Sequence, residues 1–90
     1  MNKRLQALFS GSVQGVGFRF TAKRLASRFP VTGFVRNLAN GKVELVAEGE
    51  EQTLQEFLQA VREAFRDYVR DVETEWKNAT AEFKGFGIKF

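Results

Sequence analysis

Short segments with the character of β-strands recur along the chain, and the clearest lies near its beginning. Leu5, Ala7 and Phe9 fall on one face of residues 4–10, which is the two-residue period of a half-buried strand. Farther along, Asn40-Gly41 is a strong signal for a hairpin turn, because both residues tolerate the positive φ that tight turns require. The pattern predicts strands over residues 4–10, 32–38, 43–48, 72–76 and 86–90.

Two other segments repeat apolar residues at the three- and four-residue spacing of a helix. The first is expected to end at Pro30, which cannot continue a helix. The second follows Gly49, and Thr53 with Glu56 forms a capping box that predicts where this helix begins. The apolar stripe of the first helix comprises Phe18, Ala22, Leu25, Ala26 and Phe29, and that of the second comprises Leu54, Phe57, Leu58, Val61, Ala64 and Phe65.

The predicted order of elements is strand, helix, strand, strand, helix, strand, with a short extra strand at the C-terminus. This order is that of the ferredoxin-like split βαβ arrangement, an α+β fold in which an antiparallel sheet carries two helices on one face. A chain of 90 residues has material for a single core. We therefore expect one domain over residues 1–90, a ferredoxin-like βαββαβ sandwich.

The composition excludes several classes of chemistry. The chain has no cysteine, and therefore no disulfide framework, thiolate nucleophile or zinc finger. It has no histidine, which is the commonest general base and metal ligand. No apolar run follows Lys3 and Arg4, so the sequence predicts neither a signal peptide nor a membrane span. We expect a cytoplasmic protein with no membrane partner.

The net charge of +3 conceals an uneven distribution of charged residues. Residues 1–43 contain eight Lys or Arg and no acid, whereas residues 44–90 contain six basic and eleven acidic residues. Lys23, Arg24 and Arg28 are expected only to cover the exposed face of the first helix. An anionic substrate would nevertheless be attracted to the N-terminal half of the chain.

The N-terminal half also holds the most informative segment, Gly11-Ser-Val-Gln-Gly-Val-Gly-Phe-Arg19. Glycine can adopt positive φ, which lets successive N–H groups converge on one anion. The start of the following helix adds free N–H groups and a positive dipole. The spacing matches neither the dinucleotide fingerprint Gly-x-Gly-x-x-Gly nor a P-loop, and on its own it fits a simple turn as well as an anion site.

Two side chains near this segment could act on a bound oxyanion. Arg19 presents a planar fork of donors that fits phosphate or carboxylate. Asn37 lies near the end of the second strand, and its amide could hold a water by hydrogen bonds if that strand neighbours the first. Asn37 could equally be a turn residue ahead of Asn40-Gly41, and the residues alone leave both interpretations open.

Three segments together resemble the acylphosphatases, and the resemblance spans residues 5–49. They are Gly11–Arg19, Gly33-Phe-Val-Arg-Asn37 and Asn40-Gly41-Lys-Val-Glu44. That family has the ferredoxin-like fold and hydrolyses the carboxyl-phosphate bond of acyl phosphates. Both signature segments stand in the family's order and at its spacing, and the second half of the chain agrees in length and element order.

The resemblance implies a role for each position of the motif. Arg19 matches the family's phosphate-binding arginine and Asn37 its water-orienting asparagine, so these two are the expected catalytic residues. Phe34 stands where many members have tryptophan, and Asn40 where aspartate is common. The loop that surrounds the phosphate oxygens corresponds to Gln14, Gly15, Val16, Gly17 and Phe18, followed by Arg19.

An acyl phosphate is a mixed anhydride with a good leaving group, so a chain with no histidine, and with no acid in residues 1–43, can still cleave it. We expect the amides of residues 15–19 and Arg19 to hold the phosphoryl group while Asn37 aligns a water for in-line attack. The substrate's own phosphate oxygen would accept the proton. The resemblance thus implies a monomeric hydrolase of a small-molecule acyl phosphate, such as carbamoyl phosphate, acetyl phosphate or 1,3-bisphosphoglycerate, with no cofactor, metal or nucleic-acid partner.

An RNA-binding module is the first alternative function. Lys84-Gly-Phe-Gly-Ile-Lys-Phe90 is close to the aromatic signature of RNA-recognition motifs, which share this fold class. That signature belongs on the third strand of such domains, whereas here it ends the chain. We expect Phe86 and Phe90 to lie in the core instead.

A non-catalytic acylphosphatase-like domain is the second alternative. Such domains also open the large carbamoyl-transferring proteins of hydrogenase maturation, whose loop resembles Gln14–Arg19. Because this chain has its own initial methionine and ends at Phe90, we expect a free-standing hydrolase.

Overall fold

The helices and strands follow the predicted order. The computed structural model describes residues 1–90. No helix in it is both long and apolar enough to span a membrane. The elements are β1 (Asn2–Gly11), α1 (Phe18–Ala26), β2 (Thr32–Asn37), β3 (Val43–Glu50), α2 (Glu51–Ala64), β4 (Val69–Asn78) and β5 (Phe86–Lys89).

The five strands form one sheet in the order β4-β1-β3-β2-β5. The first four strands pair antiparallel, in the predicted ferredoxin-like arrangement. β5 pairs in parallel with β2, so the expectation of an antiparallel sheet is wrong at this edge. The cause is the connection formed by residues 79–85, which leaves β4 at one edge of the sheet and reaches the other edge at the same end. β5 must therefore run opposite to β4, which is the direction of β2.

The core lies between the sheet and the two helices. Alternate residues of β1 and β3 face the helices, so Phe9 and Leu45 are fully buried. The ring centre of Phe18 lies 4.9 Å from that of Phe9 and 4.4 Å from that of Phe65. These aromatic contacts fix the beginning of α1 against β1, where the glycine-rich loop joins the two elements.

Both helix boundaries differ from the prediction. α1 ends at Ala26 rather than at Pro30, because the N–H groups of residues 27–29 donate to carbonyls three residues earlier instead of continuing the helical pattern. α2 begins at Glu51, and Thr53 lies inside it, so the predicted capping box is wrong. Glu50 ends β3 with an extended backbone, and the strand therefore leads directly into the helix.

The predicted hairpin between β2 and β3 is confirmed, with positive φ at one residue only. Gly41 has a φ of 88°, whereas Asn40 is not among the residues with positive φ. The Asn40 Oδ1 atom instead accepts a hydrogen bond from the Lys42 N–H at 3.0 Å. The Gly41 N–H donates to the Leu38 carbonyl at 3.1 Å, as in hairpin loops where a turn is followed by one left-handed glycine.

The sheet face opposite the helices holds two buried carboxylates, which the alternating pattern of β3 does not reveal. Glu44 and Glu48 are only 7% and 4% exposed, because β3 is a central strand with neighbours on both sides. Oxygens of Glu44 accept hydrogen bonds from Arg36 Nε and Gln6 Nε2, each at 2.6 Å. The cost of burying the Glu44 carboxylate is thus compensated by charged and polar partners from the adjacent strands.

Glu48 anchors the connection between β4 and β5. Its carboxylate accepts hydrogen bonds from the N–H groups of Thr80 and Ala81, at 2.9 Å each, and from Arg4 Nε at 2.7 Å. Burial acts to raise the pKa of the Glu48 carboxyl, but these donors outweigh it and hold that pKa below its usual value. The hydrogen bond to Glu48 in turn raises the pKa of Arg4. The ionised carboxylate therefore stabilises the folded chain.

Glu48→Gln is expected to lower the free energy of unfolding near neutral pH by about 1–3 kcal/mol, because a neutral amide cannot replace all these charge-assisted bonds. Since the pKa is lowered in the folded state, the carboxylate stabilises the protein above its ordinary pKa of 4.5, and this contribution is lost as the pH falls through the folded-state pKa. Urea denaturation at neutral and acidic pH should show that acidification lowers the free energy of unfolding less in the variant than in the wild type.

Glu75→Gln provides the matched control. Glu75 is exposed and pairs with Lys77 at 3.3 Å on the same strand, so its loss should cost less than about 0.5 kcal/mol. A Glu48→Gln protein that loses as much stability on acidification as the wild type would contradict the role assigned to Glu48.

Candidate active site

The glycine-rich loop leaves β1 at a point where only glycine fits. Gly11 has a φ of 121°, and a Cβ atom there would lie 2.3 Å from the Tyr68 carbonyl oxygen. The same oxygen accepts a hydrogen bond from the Ser12 N–H at 2.9 Å. The chain between α2 and β4 therefore fixes the direction in which the loop sets out.

Gly15 and Gly17 are required by backbone conformation rather than by crowding. Their φ angles are 80° and 77°, in the left-handed region, and a Cβ atom built on either would have no atom within 4 Å. Gly17 is also the residue that caps the N-terminus of α1. The two glycines curve the backbone around a space that the protein itself leaves open.

The amide N–H groups of residues 13–20 donate no hydrogen bond to any other group of the protein. The first helical bond of α1 runs from the Thr21 N–H to the Gly17 carbonyl at 3.0 Å, so the first-turn donors before it remain free. The positive end of the helix dipole lies at the same place. A run of free donors at a curved loop and a helix N-terminus is the chemistry that binds an oxyanion.

Gln14 joins the loop to the β2–β3 hairpin. Its Nε2 atom donates to the Leu38 carbonyl at 2.8 Å and to the Lys42 carbonyl at 2.9 Å. Asn37 immediately precedes Leu38 at the end of β2, so these bonds bring its side of the hairpin to the loop. From the sequence, Asn37 is expected to reach the loop only if β2 neighbours β1. That condition is not met, because β3 lies between the two strands. The loop instead reaches Asn37 across the beginning of β3.

One cavity of about 100 Å³, here called the Arg19 cavity, lies at this junction. It brings together five of the residues singled out in the sequence, and its wall also includes Val13 and Phe20, which were not among them. An apolar residue beside a glycine-rich loop carries no signal that would have distinguished it. The lining residues are Val13, Gly15, Gly17, Phe18, Arg19, Phe20 and Asn37.

Two residues of the predicted phosphate loop do not line the Arg19 cavity. The side chain of Gln14 is engaged with the hairpin, as described above. Val16 is half-buried and packs against the hydrophobic core. Both residues hold the loop in shape, and their backbone N–H groups belong to the free run.

The guanidinium of Arg19 has no acidic partner. It is absent from every ion pair of the protein, and its Cζ atom lies 5.0 Å from the ring centre of Phe90. None of the residues that line the Arg19 cavity is an acid. The positive charge of Arg19 is thus free to attract a negative group.

The C-terminal aromatic residues behave differently from one another. Phe86 is half-buried and packs on the core, with its ring centre 5.5 Å from that of Phe57, as expected. Phe90 is 97% exposed, so its expected place in the core is wrong: the last strand ends at Lys89, and Phe90 lies beyond it. The aromatic signature of the RNA-binding alternative is therefore divided between the core and the surface.

No three side chains among His, Cys, Asp and Glu lie close enough together to hold a metal ion. The polar groups at the Arg19 cavity are backbone amides, one guanidinium and one carboxamide. This set can bind and orient an oxyanion and a water, and it contains no side chain that would take up a proton near neutral pH.

Comparisons with known proteins agree with the geometry. The family model for acylphosphatase matches residues 5–88. An acylphosphatase of Dehalococcoides mccartyi (strain CBDB1) is 47% identical over 87 residues, covering 94% of this chain and 96% of that protein. An acylphosphatase of Salinibacter ruber is 43% identical over 88 residues, covering 97% and 93%. The crystal structure of acylphosphatase from Bacillus subtilis aligns with a TM-score of 0.88 at 30% identity, covering 98% of this chain and 99% of that one.

The fold also occurs within a longer protein. In the crystal structure of full-length HypF in the phosphate- and nucleotide-bound form, 12% of that chain matches the whole of this one with a TM-score of 0.82 at 21% identity. That likeness shows a shared fold. The matches to acylphosphatases extend over nearly the full length of both proteins at higher identity, and they establish that this chain belongs to the acylphosphatase family.

Proposed function

We propose that this hydrolase cleaves small acyl phosphates at the Arg19 cavity by direct attack of water on phosphorus. One observation carries the proposal: a single cavity unites the free amides of the loop, the unpaired guanidinium of Arg19 and the carboxamide of Asn37. Each group has a counterpart in the reaction, since the phosphoryl oxygens need donors and the attacking water needs to be oriented.

Arg19 and the amides of residues 15–19 bind the phosphoryl oxygens. In the transition state, charge is spread over the equatorial oxygens, and donors already in place stabilise it without rearranging. Gly15 and Gly17 allow the backbone to converge, Val16 contributes an amide between them, and Phe18 anchors the helix start in the core. Gln14 holds the loop against the hairpin, so its role is to position the other donors.

Asn37 orients the attacking water. Its carboxamide can donate to and accept from a water molecule without removing a proton. The water oxygen forms a bond to phosphorus while the bond between phosphorus and the carboxyl oxygen breaks, and the carboxylate leaves with the electron pair. The water's proton passes to a phosphoryl oxygen, because the wall of the cavity offers no acid or imidazole to accept it. The products are a carboxylate and inorganic phosphate.

The proposed active unit is a monomer. The loop amides, the guanidinium of Arg19 and the carboxamide of Asn37 that the mechanism uses belong to the same chain. The cytoplasmic location and the lack of nucleic-acid and membrane partners remain predictions from the sequence.

Arg19→Ala is expected to reduce kcat for benzoyl phosphate on the order of a hundred- to a thousandfold, because it removes the one charged donor to the transition state. Phosphate release by the purified variant measures this loss. Arg24→Ala is the matched control, since Arg24 is exposed on the same helix and does not line the cavity. A folded Arg19→Ala protein with activity near that of the wild type would refute the proposed mechanism.

Asn37→Ala is expected to lower kcat for benzoyl phosphate by about a hundredfold while leaving KM and competitive inhibition by inorganic phosphate nearly unchanged, because Asn37 acts on the water rather than on the phosphoryl group. Steady-state kinetics with and without added phosphate separate the two effects. Asn78→Ala, at the opposite end of the sheet, serves as the control. If phosphate inhibition weakened as much as kcat fell, Asn37 would be a phosphate ligand instead.

A further inference from the structure

We infer that Phe20 binds the acyl group of the substrate and makes this enzyme prefer aromatic acyl phosphates to acetyl phosphate. The inference rests on the proposed function, because it places the acyl group outside a cavity that holds the phosphoryl group. Phe20 itself has no part in the proposed binding of the phosphoryl group.

The size of the Arg19 cavity limits what it can contain. Its volume of about 100 Å³ is small beside the roughly 300–1,000 Å³ of pockets that enclose a whole ligand, so it suits a phosphoryl group and a water rather than a complete aromatic acyl phosphate. The acyl group of the substrate must therefore extend beyond the cavity and lie against the surface at its mouth.

Only one apolar side chain of the cavity wall can contact a group at the mouth. Val13 and Phe18 belong to the buried core, with exposures of 0% and 2%. Phe20 is 67% exposed, although it is a large apolar residue on the first turn of α1. Contact with an apolar ligand would remove part of the Phe20 ring from water, which is favourable.

In-line attack fixes the direction in which the acyl group leaves. The attacking and leaving oxygens lie on opposite sides of phosphorus, so the acyl group points away from Asn37. Asn37 lines the cavity from β2, whereas Phe20 lines it from α1. The exposed ring of Phe20 is therefore the apolar surface that the wall offers to an acyl group extending from the cavity along α1.

The test compares kcat/KM for benzoyl phosphate and acetyl phosphate in the wild type, Phe20→Ala and Phe20→Leu. Because Phe20 is largely exposed, its replacement should leave the fold intact. The ratio of kcat/KM for benzoyl over acetyl phosphate is expected to fall about three- to tenfold in Phe20→Ala, mainly through a higher KM for benzoyl phosphate, as loss of one apolar contact predicts. Phe20→Leu should retain part of the preference.

Trp76→Ala is the matched control, because Trp76 is an exposed aromatic residue on β4, 38% accessible, and far from the cavity. The ratio of kcat/KM for benzoyl over acetyl phosphate in Trp76→Ala should equal that of the wild type. A Phe20→Ala enzyme whose ratio lies within about twofold of the wild type would overturn the inference while leaving the proposed function in place. Inactivity of the wild type toward both substrates would instead refute the proposed function, and the inference with it.

Discussion

The proposed active site depends on keeping the loop after β1 rigid while its own N–H groups stay unpaired. A folded chain normally satisfies its backbone donors internally, and a loop that does not must be held by other contacts. Here the Ser12 N–H is bound by the Tyr68 carbonyl, the side chain of Gln14 is bound by the hairpin, and Phe18 is packed in the core. These three attachments leave the amides between them free and pre-oriented, so that binding an anion requires little reorganisation.

In the proposed mechanism, this arrangement accounts for catalysis by so few side chains. Donors fixed before the reaction stabilise developing charge without paying for solvent rearrangement at that moment. One unpaired guanidinium, the end of a helix and a curved loop supply the positive potential, and no acid of the cavity wall offsets it. The ion pairs around Glu48 lie at the opposite end of β3. Substitutions there should change stability without altering the donors at the active site.

The sequence was informative where a structural requirement is local. Alternating apolar residues and helical stripes predicted all seven elements, and the glycine-rich segment predicted a loop with positive φ between β1 and α1. Relations between distant segments could not be predicted in this way. The parallel pairing of β5 follows from the path of residues 79–85, which Glu48 anchors through contacts remote in sequence. The link from Gln14 to the hairpin, which brings Asn37 to the loop across β3, likewise cannot be predicted from a local pattern.

The exposure of Phe20 and Phe90 could not be predicted either, because an aromatic residue in a helical or strand pattern is ordinarily buried.

The central claim, that free main-chain donors of this loop hold a phosphoryl group, is tested most directly by titrating the isotopically labelled protein with inorganic phosphate and following its amide resonances by NMR. The account predicts saturable shifts concentrated in residues 15–19, with little change at the Glu48 end of the sheet. Phosphate that left those amide resonances unmoved, or that shifted another part of the protein instead, would contradict it.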